Sequence, residues 1–397
     1  MDPGFSKQEE RFRRTLRTWL RKHLPKRHDE IDGGDDLSFA GPEQIEAAKG
    51  WQRTLLEAGY VGLDWPGEYG GQNAGAVRQA IVDEEMARHR APRLIGDVGL
   101  RRVGPTLIHC GTEAQRRRFL PKILSAEHIW CEGCFEPEAG SDLDVLEARA
   151  EIDGDFFVVS GHKAWTTTAR FADWILCLVR THVDAPGRDG ISALLIDMKT
   201  PGVDVRSLVH ITGQSGWGEV LFTDVRVPRE NLLGELHGGW VVARTALSHE
   251  RGGTASAART QQMLTDLLRL ARRRIGDGGK VSRDPVVRQK VADLQIRVEM
   301  MKLHAWKQLS DREHGRPDGA AASIDTLLTT QLSHEICVTA LEFLGDYGPL
   351  LGRSPHASDG GLWSRSWMLT LGTRVGGSRA QIEKNLIAED ALGLPRT

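Results

Sequence analysis

The stretch Trp130-Cys131-Glu132-Gly133-Cys134-Phe135-Glu136-Pro137-Glu138-Ala139-Gly140-Ser141-Asp142-Leu143 marks a change of character along the chain. Before it, apolar residues recur at helical spacing. From Ile129-Trp130-Cys131 onward come short β-prone runs separated by Gly, Pro and Asp. Phe156–Val159, Trp174–Val179, Ile191–Ile196 and Val220–Phe222 read as strands, with Gly154-Asp155 and Gly161-His162 as turns beside them. A compact β domain follows from this pattern. Taken alone, Gly140-Ser141 reads as a turn. In Gly161-His162-Lys163-Ala164-Trp165-Thr166-Thr167, Trp165 reads as a core residue and Thr167 as a strand residue.

On the N-terminal side, Ser6 to about Ala126 is helical, broken by turn chemistry at Asp32-Gly33-Gly34, Trp65-Pro66-Gly67 and Gly70-Gly71. Phe12, Leu16, Trp19 and Leu20 share one helix face opposite a solvated basic face, and Glu9 and Glu10 speak against a transit peptide. On the C-terminal side the helical period returns at Trp240–Leu247. It continues over Leu264–Arg274, Val286–Arg312, Ile324–Phe343 and Arg379–Ala391, with Ile275–Pro285 as a surface loop. The expected class is α+β multidomain, with an N-terminal helical domain over 1–126, a middle β-barrel or sandwich domain over 127–236 and a C-terminal four-helix bundle over 237–397.

Composition bounds the function. The chain has 397 residues, enough for two or three packed subdomains, and its formal net charge of −2 carries no basic footprint for nucleic acid. Five cysteines form no even disulfide framework, which points to a reducing cytoplasm. No run reaches about 18 apolar residues, so no membrane span is expected. Cys131-x-x-Cys134 lacks the second pair that a zinc site needs, and the 14 histidines include no His-Glu-x-x-His.

Glu136-Pro137-Glu138-Ala139-Gly140-Ser141-Asp142 resembles the Glu-Pro-x-x-Gly-Ser-Asp motif of the acyl-CoA dehydrogenases, and Lys163-Ala164-Trp165-Thr166-Thr167 is similar to that family's Lys-x-Trp-x-Thr stretch. Trp65-Pro66-x-x-Tyr69-Gly70-Gly71, Gly111-Thr112-Glu113, Phe119-Leu120-Pro121, Asp224–Pro228 and Gly393–Arg396 extend the resemblance over the whole chain. It implies FAD as cofactor, held by Cys134, Phe135, Gly140, Ser141, Trp165 and Thr167. It also implies an acyl-CoA substrate touching Ser141 and Arg251, an electron-transfer flavoprotein as electron acceptor, and a homotetramer or a heterotetramer with a related subunit. The physics agrees: a Gly-Ser pair lets the backbone approach a pyrophosphate, and an indole packs on a flat ring.

In this family a carboxylate takes the α-proton while a hydride leaves Cβ, and that carboxylate stands either in a Glu-Arg pair on the first long helix of the C-terminal domain or in a late Glu-Gly-Thr loop. Here the late loop reads Val375-Gly376-Gly377-Ser378, whereas the helix reads Leu247-Ser248-His249-Glu250-Arg251. Glu250 is therefore the expected base, with Arg251 to tune and position it. The chain departs from the pattern at Phe135, where a Ser or Thr hydroxyl is usual, and in lacking Arg-x-x-Phe-Gly near Arg272–Gly276. Gly345-Asp346-Tyr347-Gly348 matches the adenine-side glycine loop only in part. These departures resemble members that work as mixed assemblies. Two further readings stay open: a half-site or non-catalytic subunit, and a same-fold enzyme acting on a carrier-bound acyl group or as a flavin monooxygenase.

Overall fold

The computed structural model describes residues 5–25, 41–140, 142–185, 187–250, 253–273, 280–316, 320–352, 354–376 and 380–395; the side chains of residues 248–250 lie outside it. In chain order come α1 (Lys7–His23), α2 (Pro42–Glu57), α3 (Ala76–Arg88), α4 (Gly104–Cys110) and α5 (Glu113–Leu124). Strands β1 (Trp130–Gly133), β2 (Arg149–Asp153), β3 (Phe156–Thr167), β4 (Trp174–Arg180), β5 (Ile191–Asp197), β6 (Val203–Leu208), β7 (Trp217–Pro228) and β8 (Leu232–Leu233) follow. The chain ends with α6 (Gly239–Glu250), α7 (Thr254–Ala271), α8 (Pro285–Glu313), α9 (Ala321–Leu344), α10 (Leu362–Gly376) and α11 (Ala380–Leu386). The expected order of helices, sheet and helices is the observed one. Contacts divide the described residues into two units, one drawn from 1–34, 76–92 and 251–397 and the other from 35–75 and 93–250.

In the first unit, α7 to α10 pack around one core. Leu264, Leu267, Leu294, Val298, Met301, Leu332, Ile336 and Phe343 bury the periodic apolar stripes of their helices. Helix α1 starts at a capping box in which Ser6 and Glu9 exchange hydrogen bonds. Its basic face is not simply solvated: Arg13 pairs with Glu84 at 2.8 Å, and Arg17 grips Glu85 through two hydrogen bonds of 2.9 and 2.7 Å. Glu85 is 1% exposed. Burial alone raises its pKa, but the Arg17 hydrogen bond and the charges of Arg17, Arg13 and His89 outweigh that and hold the carboxyl below its ordinary value. A depressed carboxyl stabilises the fold above its unfolded-state pKa and loses that stabilisation as pH falls through the folded value. Glu85→Gln is therefore expected to cost about 1–3 kcal/mol at neutral pH. The cost should shrink as the pH falls below the unfolded-state value, measured as urea midpoints across an acid series.

The second unit holds one eight-stranded sheet in the order β6-β7-β3-β2-β4-β5-β8, with β1 added parallel to β4. Its core takes Cys131, Phe157, Val159, Ile175, Cys177, Leu194, Ile196, Val220 and Phe222. The β1–β4 register sets Trp130 opposite Trp174. The two indoles stack at 5.7 Å, and Phe119 from α5 packs against both, with ring centroids at 5.2 and 4.9 Å.

Two strands are longer than expected. Gly161, read as a turn, lies inside β3, and a Cβ there would sit 2.4 Å from the Cβ of Ala148. Close backbone approach, not chain reversal, explains that glycine. Strands β2 and β6 escape sequence reading because almost every residue in them is exposed or half-buried.

Candidate active site

Strand β1 delivers Cys134 and Phe135, both half-buried, to the turn that begins at Glu136. Glu136 is 5% exposed and Lys163, on β3, is fully buried. Lys163 Nζ donates to Glu136 Oε1 at 2.6 Å, and the Glu136 carboxylate also accepts from the backbone N–H groups of Glu147 at 2.6 Å and Ala148 at 2.9 Å. The Ala164 N–H donates to the Phe135 carbonyl at 2.9 Å. Gly133 makes room for this crossing, since a Cβ there would lie 3.2 Å from the Lys163 stem and 2.9 Å from Ile175. Glu136 and Lys163 were legible only as letters in a motif. The structure assigns them the job of tying the two motif segments together.

The turn closes with Gly140, whose N–H donates to the Glu136 carbonyl at 3.3 Å. Gly140 has φ +61° and open space where a Cβ would stand, so its backbone is approachable. Ser141 lies outside the described residues.

Trp165 is not a core residue. The β3–β7 ladder slips between Lys163 and Thr166, and Trp165 occupies that bulge with φ +58° and 58% exposure. A bulge re-aims a side chain, and a left-handed φ in a bulky residue is a strained state that clusters at functional sites. The indole meets Trp217 edge-on, ring centroids 6.2 Å apart. Thr167 is exposed at the end of β3, paired in register with Trp217. Together these residues place an approachable backbone turn and an outward indole on one strand-and-turn scaffold. That scaffold is able to hold a phosphate and a flat ring.

Glu250 is the last residue of α6, and its side chain, like all of Arg251, lies outside the described residues. The other end of α6 is tightly fixed. Thr181 Oγ1 lies 2.6 Å from Ser192 Oγ and 2.8 Å from His237 Nδ1, and the His237 N–H donates to Ser192 Oγ at 2.8 Å. Gly239 is pressed on β5, where a Cβ would come within 2.8 Å of three backbone atoms of Ile191 and Ser192. Gly239→Ala is expected to displace the start of α6, cost about 1–3 kcal/mol by overpacking and lower turnover together with the urea midpoint. Further along the chain, Gly253 opens α7 and donates its N–H to the buried carboxylate of Asp325 at 2.8 Å. Burial raises the Asp325 pKa, and the Gly253 hydrogen bond and the His304 charge only partly offset it.

Cys131 is fully buried and its thiol is pushed well above the ordinary range by that burial, so it is no reactive nucleophile. Of the expected contacts at Phe135, the hydroxyl-dependent one is absent, and the residue's carbonyl is already engaged by Ala164. The residues to which sequence reasoning gave no role are Glu136, Lys163, Thr181, Ser192 and His237. None follows a periodic signal, because each acts across a register that only the folded sheet defines.

Residues 6–127 match the N-terminal domain of acyl-CoA dehydrogenases, 131–225 the middle domain and 237–392 the C-terminal domain. The chain is 32% identical to acyl-CoA dehydrogenase IpdE1 of Mycobacterium tuberculosis over 98% of both chains. It is 30% identical to acyl-CoA dehydrogenase FadE26 of the same organism, over 99% of this chain and 98% of that one. Among solved structures it is similar to the Tcur3481-Tcur3483 steroid ACAD, with a TM-score of 0.87 and 31% identity over the full length of both chains. It is also similar to the ChsE4-ChsE5 complex from Mycobacterium tuberculosis, with a TM-score of 0.86 and 30% identity over the full length of both chains. With its three matched domains in this order, the chain belongs to the acyl-CoA dehydrogenase family of oxidoreductases, which act on acyl-CoA.

Proposed function

We propose that the protein carries out FAD-dependent α,β-dehydrogenation of an acyl-CoA thioester to the trans-2-enoyl-CoA and passes the electrons to an electron-transfer flavoprotein. The observation that carries this reading is the outward indole of Trp165 in its bulge together with the approachable Gly140 turn, on two segments that are tied by the Lys163–Glu136 and Ala164–Phe135 hydrogen bonds. That pairing fits FAD: Gly140 and Ser141 hold the diphosphate, Trp165 packs on the ring, and Thr167 faces its edge. Cys134 and Phe135 border the ring through their backbone. When bound, FAD supplies the acceptor for the hydride that leaves Cβ.

The chain's own residues do the rest. Glu250 takes the α-proton, and Arg251, together with Ser141, orients the thioester. A carboxylate desolvated by its substrate rises in pKa toward the proton it must remove. Domain limits at 126 and 236 and a cytoplasmic location complete the proposal. Among the described residues no helix is long and apolar enough to cross a membrane.

A second arrangement is favoured by one specific observation. Phe135 replaces a hydroxyl-bearing residue at the flavin's edge, and of two similar solved structures one is the ChsE4-ChsE5 complex and the other carries the double name Tcur3481-Tcur3483. In that arrangement this chain provides Glu250 within a heterotetramer and a related subunit completes the FAD site. The visible absorption spectrum of the protein purified alone separates the two. About one flavin per chain supports a homomeric enzyme. A colourless protein that takes up FAD only with a related subunit supports the mixed assembly, and one that takes up FAD in neither state overturns the flavin reading.

A further inference from the structure

Lys163 and Glu136 form a buried ion pair, 0% and 5% exposed, that has no part in the proposed chemistry, since neither is the base. Buried pairs of this kind pay heavily for desolvation, so a pair of apolar side chains of similar volume is often no less stable. Its retention points to geometry. Three features converge on it. Glu136 opens the turn that ends at Gly140, and its carboxylate collects Lys163 Nζ and two backbone N–H groups at 2.6 to 2.9 Å. Lys163 is the last residue of β3 in regular register before the bulge, two positions from Trp165. The neighbouring Ala164 N–H closes on the Phe135 carbonyl. A tether at each motif therefore fixes the turn and the bulge with respect to one another.

We propose that the Glu136–Lys163 pair is a positioning clamp that sets Trp165 and the Gly140 turn in the spacing a flavin dinucleotide needs, resting on the flavin reading above. A charged, bidentate-capable acceptor on the turn and a single ammonium on the strand define a distance, which a contact between apolar side chains does not. The left-handed φ of Trp165 is held against its own preference, and the strand just before it is where a restraint is most effective.

The test compares three proteins: the wild type, Glu136→Gln combined with Lys163→Met, which removes both charges, and Glu136→Asp, which keeps both charges and shortens one arm. Two quantities are read well below each protein's unfolding temperature, in the presence of any subunit the wild type needs. One is the dissociation constant for FAD. The other is the far-ultraviolet circular dichroism couplet of the Trp165–Trp217 pair, isolated as the difference from a Trp165→Phe control in each background and recorded without FAD.

The clamp predicts at least about a tenfold weaker FAD constant and a reduced or inverted couplet in both variants, with helix and sheet content unchanged. An FAD constant and couplet equal to wild type in a folded variant would overturn it and leave the pair purely structural. Should the doubly neutral protein not fold, Glu136→Asp alone decides by the same two readings. A wild type that binds no FAD overturns the flavin reading, while the couplet still decides whether the pair positions Trp165.

Discussion

Replacing Glu250 with Gln is expected to slow reduction of the bound flavin by acyl-CoA by a factor of about 10² to 10⁴, the typical worth of a positioned general base. The substitution keeps size and hydrogen-bonding capacity and removes only the ability to accept the α-proton. Flavin content and the urea midpoint should therefore match wild type. The late segment Val375-Gly376-Gly377-Ser378 offers no substitute, because its sequence contains no carboxylate. Stopped-flow reduction at near wild-type rate in this variant would place the base elsewhere. A fall in affinity with an unchanged reduction rate would reduce Glu250 to a binding role.

The second large effect is on stability. Lys163→Met leaves the Glu136 carboxylate buried with two backbone donors and no counter-charge, and stranding one member of a buried pair costs about 3–5 kcal/mol. The surface pair Arg226–Asp153, at 2.7 Å, has nearly the same separation but exposed partners, and is expected to contribute about 0–1 kcal/mol. Desolvation, not distance, decides between them. Urea midpoints of Lys163→Met and Asp153→Ala, measured side by side, should therefore differ by several-fold in their shift. Equal shifts would mean that the Glu136–Lys163 pocket is wetter than its burial implies.

The long helices were legible almost to their ends, because α8 and α9 carry an apolar period over several turns and bury it in one core. The sheet was legible where strands are buried on both faces, as in β4 and β5, whose uninterrupted apolar runs need no partner to be recognised. It was opaque in β2 and β6, whose residues are mostly wet, and at Gly161, where turn chemistry and close approach look alike in sequence. The same limit governs the site. Gly140 and Trp165 stood out through the motif, yet the outward direction of Trp165 comes from a slip in the β3–β7 ladder that no single-strand pattern encodes. The Glu136–Lys163 contact joins residues 27 positions apart, so it exists only once β1 and β3 are in place.

The most direct test of the proposed activity is anaerobic mixing of the flavin-loaded protein, with its partner subunit if one is needed, with a series of acyl-CoA thioesters. Bleaching of the oxidised flavin bands, with one enoyl-CoA formed per flavin reduced, is the predicted result for at least one member of the series. A flavin that stays oxidised throughout the series, in a protein that holds it stoichiometrically, would contradict α,β-dehydrogenation of acyl-CoA as the reaction of this chain.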